Sequence, residues 1–385
     1  MALRVLTDFP GGNGQLLNSK QWDDGVEIEF SAECKRGEPQ ALWFHFRVEG
    51  AQGSRIRCVL SNVSQCFGSI GDWDRNAPVY QVKGGKWKRV TSVKIRENEH
   101  LIPEVIFDIE TVDPQVEVAF CYPYQTKDLE ETLKDQDIWK QAVIGLSQQN
   151  HPITRLYNDL GDEHQPKQGI YLLARQHSGE TPGSFVLDGI LQYLASDAGK
   201  RARQEFCWWI VPFSDVDGVM NGYYGKDQSP HDLNRAWQTP FPLRPEVKAI
   251  QADMSRWMRR TKPFAMIDLH APSHEEKGIY FHIPSASENI LERSIQFADQ
   301  FHHALPERLR GKESYFLKKP SEYTSAYAGV NSSHYVVNEI GCMAAAMEIS
   351  YQGPEDHVFY SIGDYQIIGE TLVDALSCTN GFNKF

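Results

Sequence analysis

The sequence has little that would take it out of the cytoplasm or into a membrane. Its opening, MALRVLTDFPGGNGQ, shows no basic segment followed by an apolar core, so no secretory signal is expected. No apolar run approaches the roughly 20 residues that a bilayer-spanning helix requires. Positive charge is in short supply: 39 Lys and Arg stand against 51 Asp and Glu, a formal net charge of -12. That balance argues against nonspecific binding to nucleic acid or to an anionic membrane surface, though it leaves room for a small basic pocket. Cysteine is sparse and unpatterned. Cys34, Cys58, Cys66, Cys121, Cys207, Cys342 and Cys378 are scattered, odd in number and contain no CxxC pair. Buried free thiols in a reducing compartment are expected, and a cytoplasmic location follows. Internal repeats and low-complexity segments are missing too.

What the sequence does have is length. Its 385 residues exceed one ordinary domain of about 150. A hydrophobic share of 41% beside 23% charged residues is that of a globular protein able to bury a large core. The first third reads as β. ALWFHFRV (41–48), RIRCVLSNV (55–63), WKRVTSVKIRE (87–97), EVIFDIETV (104–112) and VEVAFCYPY (116–124) follow at short intervals. Turn-forming clusters such as GGNG, GSIGDWDRN and KGG separate them, which predicts an antiparallel β-sandwich over residues 1–120.

After about residue 120 strands alternate with helices. Buried strands are predicted at GIYLLARQ (169–176), FCWWIVPF (206–213), FAMIDLHA (264–271) and MAAAMEISY (343–351). Between them, Phe185, Ile190, Leu191 and Leu194 share one helical face, as do Val247, Ile250, Met254 and Trp257 after Pro245. Further helices are predicted at 288–305 and roughly 362–377. The alternation implies an α/β domain over 121–385, with a mixed, mostly parallel sheet flanked by helices and PYQTKDLEETL as the link.

In open α/β sheets ligands sit beyond the carboxyl ends of the strands. Three polar clusters fall there: His177-Ser-Gly-Glu180, Asp268-Leu-His270 and Glu348. Two imidazoles and one carboxylate form a standard zinc set that leaves a position open. His177 and Glu180 would grip the ion from one turn, and His270 from a neighbouring strand. Glu348, not needed as a ligand, suits proton transfer. Asn234 and Arg235 in HDLNRAW suggest a clamp for a substrate carboxylate, because a guanidinium binds one in bidentate fashion. Each residue also has a plainer reading. An HxxE arises by chance, a histidine after a strand is often structural, a buried glutamate is often paired, and an arginine often sits in a surface ion pair.

Taken together, the motifs resemble the M14 zinc carboxypeptidases, specifically the cytosolic carboxypeptidase subfamily. The resemblance rests on ARQHSGE, VPFSDVDGVMNG…HDLNRAW, DLHA and AMEISY, with LWFHFRVEG and FCYPYQTKDLE in the first third. It implies one zinc ion per chain on His177, Glu180 and His270, with Glu348 as general base and acid. It also implies that Asn234 and Arg235 hold the substrate's C-terminal carboxylate, and it points to Tyr327, or else Tyr323, as a mobile tyrosine. The substrate would be the C-terminus of a peptide or protein. Two departures stand out. Gly222-Tyr223-Tyr224-Gly225 lacks the subfamily's arginine, leaving Lys226 beside it as a point charge, and Asn331–His334 lacks the arginine expected to receive acidic side chains. Competing expectations are an aspartoacylase-like zinc deacylase of N-acyl amino acids and a catalytically weakened binding protein.

Overall fold

A computed structural model describes residues 3–34, 40–51, 55–111, 113–238, 240–319, 322, 325 and 327–379. In the first third the strands are β1 (Arg4–Leu6), β2 (Gln15–Trp22), β3 (Gly25–Ser31), β4 (His45–Glu49), β5 (Arg55–Leu60), β6 (Val79–Val82), β7 (Lys88–Arg89), β8 (Val93–Glu97), β9 (Pro103–Glu110) and β10 (Gln115–Ala119). They form two five-stranded sheets, ordered β1-β4-β10-β6-β7 and β2-β3-β5-β9-β8. The inner faces meet through aromatic rings: Phe30 lies 4.8 Å from Phe46, and Phe44 lies 6.4 Å from Phe107.

Two details differ from the sequence expectation. β3 and β5 pair in parallel, because the chain between them crosses to the other sheet as β4 and returns in the same direction. WKRVTSVKIRE is not one strand. It breaks after Arg89, so that β7 closes one sheet and β8 the other.

Most of the segment PYQTKDLEETL is helical. Thr126–Leu133 forms helix α1, started by a capping box between Gln125 and Asp128 and anchored by buried Leu129. Beyond it run β11 (Lys140–Leu146), β12 (Pro152–Tyr157), β13 (Gln168–Ala174), α2 (Pro182–Ala195), α3 (Lys200–Glu205), β14 (Phe206–Val211), α4 (Val216–Asn221), α5 (Pro245–Arg260), β15 (Lys262–His270), β16 (Ile279–Pro284), α6 (Glu288–Ala304), β17 (Tyr315–Lys318), α7 (Ser332–Tyr335), β18 (Met343–Ile349) and α8 (Ile362–Thr379). The eight strands form one sheet, ordered β11-β12-β14-β13-β15-β18-β16-β17. Its centre, β14-β13-β15-β18, is parallel, while β12 and β16 pair antiparallel with their inner neighbours. Every residue of β14 is buried, which requires cover on both faces. Among the described residues no helix is long and apolar enough to cross a membrane.

The topology brings three strand ends together. β13 delivers the turn that begins at Arg175, β15 ends on His270, and Glu348 of β18 stands in register beside His270.

Candidate active site

The turn after β13 carries His177 and Glu180 and is held from beneath. Arg175 adopts a left-handed backbone (φ 58°), uncommon for a side chain of this size, and is fully buried. Its guanidinium donates to the Ser178 carbonyl at 2.8 Å, and to the Tyr124 carbonyl and Ser184 Oγ at 3.1 Å each. From above, the Gly179 N–H donates to the Tyr224 carbonyl at 2.8 Å. A Cβ on Gly179 would come within 2.9 Å of the Tyr224 ring and 3.1 Å of Trp43, so only glycine lets the two segments approach. α2 then starts at Pro182, which fixes where Glu180 points.

The donor atoms converge. His177 Nδ1 meets Glu180 Oε1 at 2.8 Å, and His270 Nδ1 meets Glu180 Oε2 at 2.8 Å. One donor atom from each of His177, Glu180 and His270 lies within 4.8 Å of the others, and all three residues are buried. Each imidazole turns its other nitrogen to an aspartate: His177 Nε2 to Asp232 at 3.4 Å, His270 Nε2 to Asp268 at 3.0 Å. Carboxylate–histidine–metal arrays have this form, in which the outer carboxylate fixes tautomer and ring orientation.

Electrostatics tells the same story. Burial alone would lower both imidazoles, yet Glu180 and Asp232 outweigh it and raise His177 to about 9. Burial likewise opposes charge on His270, but Asp268 and Glu180 lift it well above the ordinary value. With neutral imidazoles, three buried carboxylates would stand here against only the neighbouring charges of Arg235 and Arg175. A divalent cation held by His177, Glu180 and His270 would supply the missing charge, so the residues present fit zinc in donor type, convergence and charge.

Glu348 lies next to this cluster. Burial, with Glu180 and Glu276 adding to it and His270 opposing, raises its carboxyl to about 7. His282 Nδ1 stands 3.7 Å from Glu348 Oε1, but this is no ion pair. Burial, followed by the charges of Lys318, His270, Lys226 and Arg235, depresses His282 to about 3.

A cleft of about 150 Å³ opens over these groups, lined among others by Phe67, Lys226, Asn234, Arg235, Lys318 and Asn331. Arg235 is buried against it and donates to the Asn234 carbonyl at 2.8 Å. The Asn234 amide is held by protein on both sides. Its Nδ2 lies 3.1 Å from His270 Nε2, and its Oδ1 accepts from the Ser332 N–H at 3.1 Å and from Gln176 Nε2 at 3.2 Å. Lys226 places its ammonium 3.8 Å from the centre of the Phe67 ring. Tyr327 packs against His231, ring centres 4.6 Å apart, and does not line the cleft. Tyr323 lies outside the described residues.

Residues 127–365 match the family described as Zinc carboxypeptidase, and residues 5–120 match the Cytosolic carboxypeptidase N-terminal domain. The chain belongs to the zinc carboxypeptidase family. Cytosolic carboxypeptidase 6 of Caenorhabditis elegans is 26% identical over 366 residues, covering 87% of this chain and 78% of the relative. The mouse protein of that name is also 26% identical, over 277 residues that cover 66% of this chain and 51% of its own length. Solved structures share the fold. A metallo-carboxypeptidase from Burkholderia cenocepacia superposes with a TM-score of 0.81 at 20% identity, covering 100% of both chains. One from Pseudomonas aeruginosa gives 0.78 at 21%, covering 98% of this chain and 99% of its own. As a family member the chain is a peptide hydrolase, and the family assignment implies zinc and does not favour the deacylase alternative.

Sequence reasoning gave no role to Arg175, Asp232, Asp268 or Phe67, all of which touch or support the candidate site. The first three stand inside the motifs already read, but nothing in those motifs says which way their side chains turn. Phe67 had none, since only the fold brings it there.

Proposed function

We propose that this chain is a cytoplasmic carboxypeptidase that hydrolyses the last peptide or isopeptide-like amide bond of a peptide or protein ending in a free carboxylate. The observation that carries the reading is one cleft holding the His177–Glu180–His270 donor set, Glu348 and Arg235 together. One zinc ion per chain would sit on the three donors, and when bound it supplies Lewis acidity toward a carbonyl oxygen and toward water. Arg235 binds the terminal carboxylate, which a guanidinium does through two parallel hydrogen bonds. Asn234 lines the same wall, its Oδ1 held by the Ser332 N–H and Gln176 Nε2. A carboxylate oxygen of Glu348 takes the proton of the attacking water and returns it to the leaving nitrogen, the role open to a buried carboxylate that lines the cleft beside the donor set without belonging to it. Lys226 brings positive charge to the side where the scissile carbonyl becomes an oxyanion. Tyr327 stands outside the cleft, so any part it plays requires its segment to move inward. Residues 1–120 form the accessory unit and 121–385 the catalytic one. The donor set argues against an inert binding protein. Peptides offered as free acids and as C-terminal amides, with and without chelator, test the reading. Free acids should be cleaved and amides spared, and chelator should stop the reaction; equal cleavage of both forms would sink it.

A further inference from the structure

Phe67 belongs to the N-terminal sheet pair, yet it lines the cleft together with His177, Lys226 and Glu348. Its backbone is fixed on both sides. The Phe67 N–H donates to the Ala41 carbonyl, and the Ala41 N–H to the Gln65 carbonyl, each at 2.8 Å. Gly68 follows with φ 117°, where any side chain would be strained, and a Cβ there would fall 2.2 Å from Glu275 Oε2 and 2.5 Å from His274 Cδ2. The Ser69 N–H donates to Glu275 Oε2 at 3.0 Å, and the Asn76 amide meets His274 Nδ1 at 2.9 Å. Trp73 packs on the same imidazole, ring centres 4.7 Å apart. His274 and Glu275 follow β15 closely in sequence. The loop that carries Phe67 is thereby clamped to the segment leaving His270.

Half-buried Lys226 reaches the ring at the end of the turn after α4, and its ammonium lies 3.8 Å from the ring centre. That distance places the cation on the ring, where the quadrupole attracts it. An ammonium on a four-carbon stem has many rotamers and no fork to orient it, unlike a guanidinium. A ring face fixed by the neighbouring unit narrows that freedom.

We propose that Phe67 is a positioning residue for Lys226, so that the N-terminal sheet pair completes the active site of the sheet that follows. The proposal rests on the reading of Lys226 as the charge that meets the developing oxyanion. Phe67→Leu keeps bulk and removes the ring face; Phe67→Tyr keeps both.

The test is a double-mutant cycle on the full-length, zinc-loaded enzyme with a free-acid peptide. Lys226→Met should lower kcat roughly 10²–10³-fold, the cost of an oxyanion donor. Phe67→Leu should lower kcat roughly 2–30-fold with KM little changed, the size of one partly desolvated cation–π contact. Phe67→Tyr should recover most of that loss, and the double variant should be no slower than Lys226→Met alone. In parallel, ¹³C-lysine NMR should show one side-chain signal displaced upfield by the ring current. It should vanish in Lys226→Met and return to the common position in Phe67→Leu. Losses that multiply in the double variant, or Phe67→Leu turning over like the parent, would overturn the proposal. Parent turnover in Lys226→Met removes that lysine from the chemistry and the proposal with it. A parent that cleaves no free-acid peptide defeats the carboxypeptidase reading instead, and the NMR arm alone then decides whether Phe67 holds Lys226.

Discussion

In the first sheet His45 Nε2 meets Glu117 at 3.4 Å, and in the catalytic sheet His177 and His270 each meet Glu180 at 2.8 Å. All three histidines are buried, but their protonation goes opposite ways. Burial dominates at His45, whose pKa is lowered: its one carboxylate is partly exposed and is shared with Arg47, which donates to Glu117 at 2.7 Å. His177 and His270 each face two buried carboxylates and are raised. A His–Glu contact therefore does not mark a cation site. The mark is carboxylates that exceed the local positive charge, arranged so that lone pairs converge.

The sharpest way to break the comparison is to remove one member from each cluster. His270→Ala should abolish stoichiometric zinc binding and activity, whereas Glu117→Gln should keep one zinc per chain, both read by metal analysis of purified protein. Retained zinc in His270→Ala means that the donor set is wrong.

Glu348→Gln comes next. It should keep zinc and fold while kcat drops roughly 10²–10⁴-fold. The sign of its pH dependence follows from its role. The working base is deprotonated, so kcat/KM should fall about tenfold per unit below the pKa of Glu348. That limb begins near pH 7 on the raised value, and lower once a dication next to it favours the carboxylate. The limb should be absent from the residual activity of Glu348→Gln. A variant with parent turnover removes Glu348 from the mechanism.

Arg235→Ala should cost about 2–5 kcal/mol in kcat/KM on free-acid peptides, the loss expected when a buried carboxylate forfeits its charged partner. Amidated peptides, poor to begin with, should be unaffected. An equal loss on both would mean that Arg235 is structural.

The smallest effect belongs to the other cluster. Hydrogen bonding from His45, then Arg47, outweighs burial and depresses Glu117 to about 2. A depressed carboxylate adds stability above its unfolded pKa and loses it as pH falls through the folded one. Glu117→Gln should thus lower stability by about 1 kcal/mol at pH 7, kept small by solvent screening. The gap between parent and variant should narrow from about pH 4.5 down to 2. A gap independent of pH would assign the loss to packing.

The chain declared its inner strands and long helices because burial on both faces leaves continuous apolar runs such as FCWWIV, and amphipathic helices leave periodic ones. Edge elements were less legible. KQAVIGL and PITRLY pair at the sheet margin, where one side is wet and polarity is mixed. YFLK is four residues long, and the hairpin QLLNSKQW–GVEIEFS hides its alternation behind an exposed first strand. In the site, His177, Glu180, His270 and Glu348 were readable because each sits at a strand end within a short motif. The aspartates behind the histidines were not, since their orientation is set by strand register and loop packing. Phe67 could not be read at all: 110 positions and a sheet boundary separate it from His177.

Strand order also sets a schedule for synthesis. β18 enters between β15 and β16, although both of those precede it in the chain. Until the ribosome has released residues 343–349, two neighbouring strands keep unpaired edges in the middle of the future sheet, the state most open to aggregation. The same segment brings Glu348. Nascent chains receive His177, Glu180 and His270 early, but on this layout Glu348 arrives with the strand that fills the gap between β15 and β16, so the candidate site is complete only once that strand is in place.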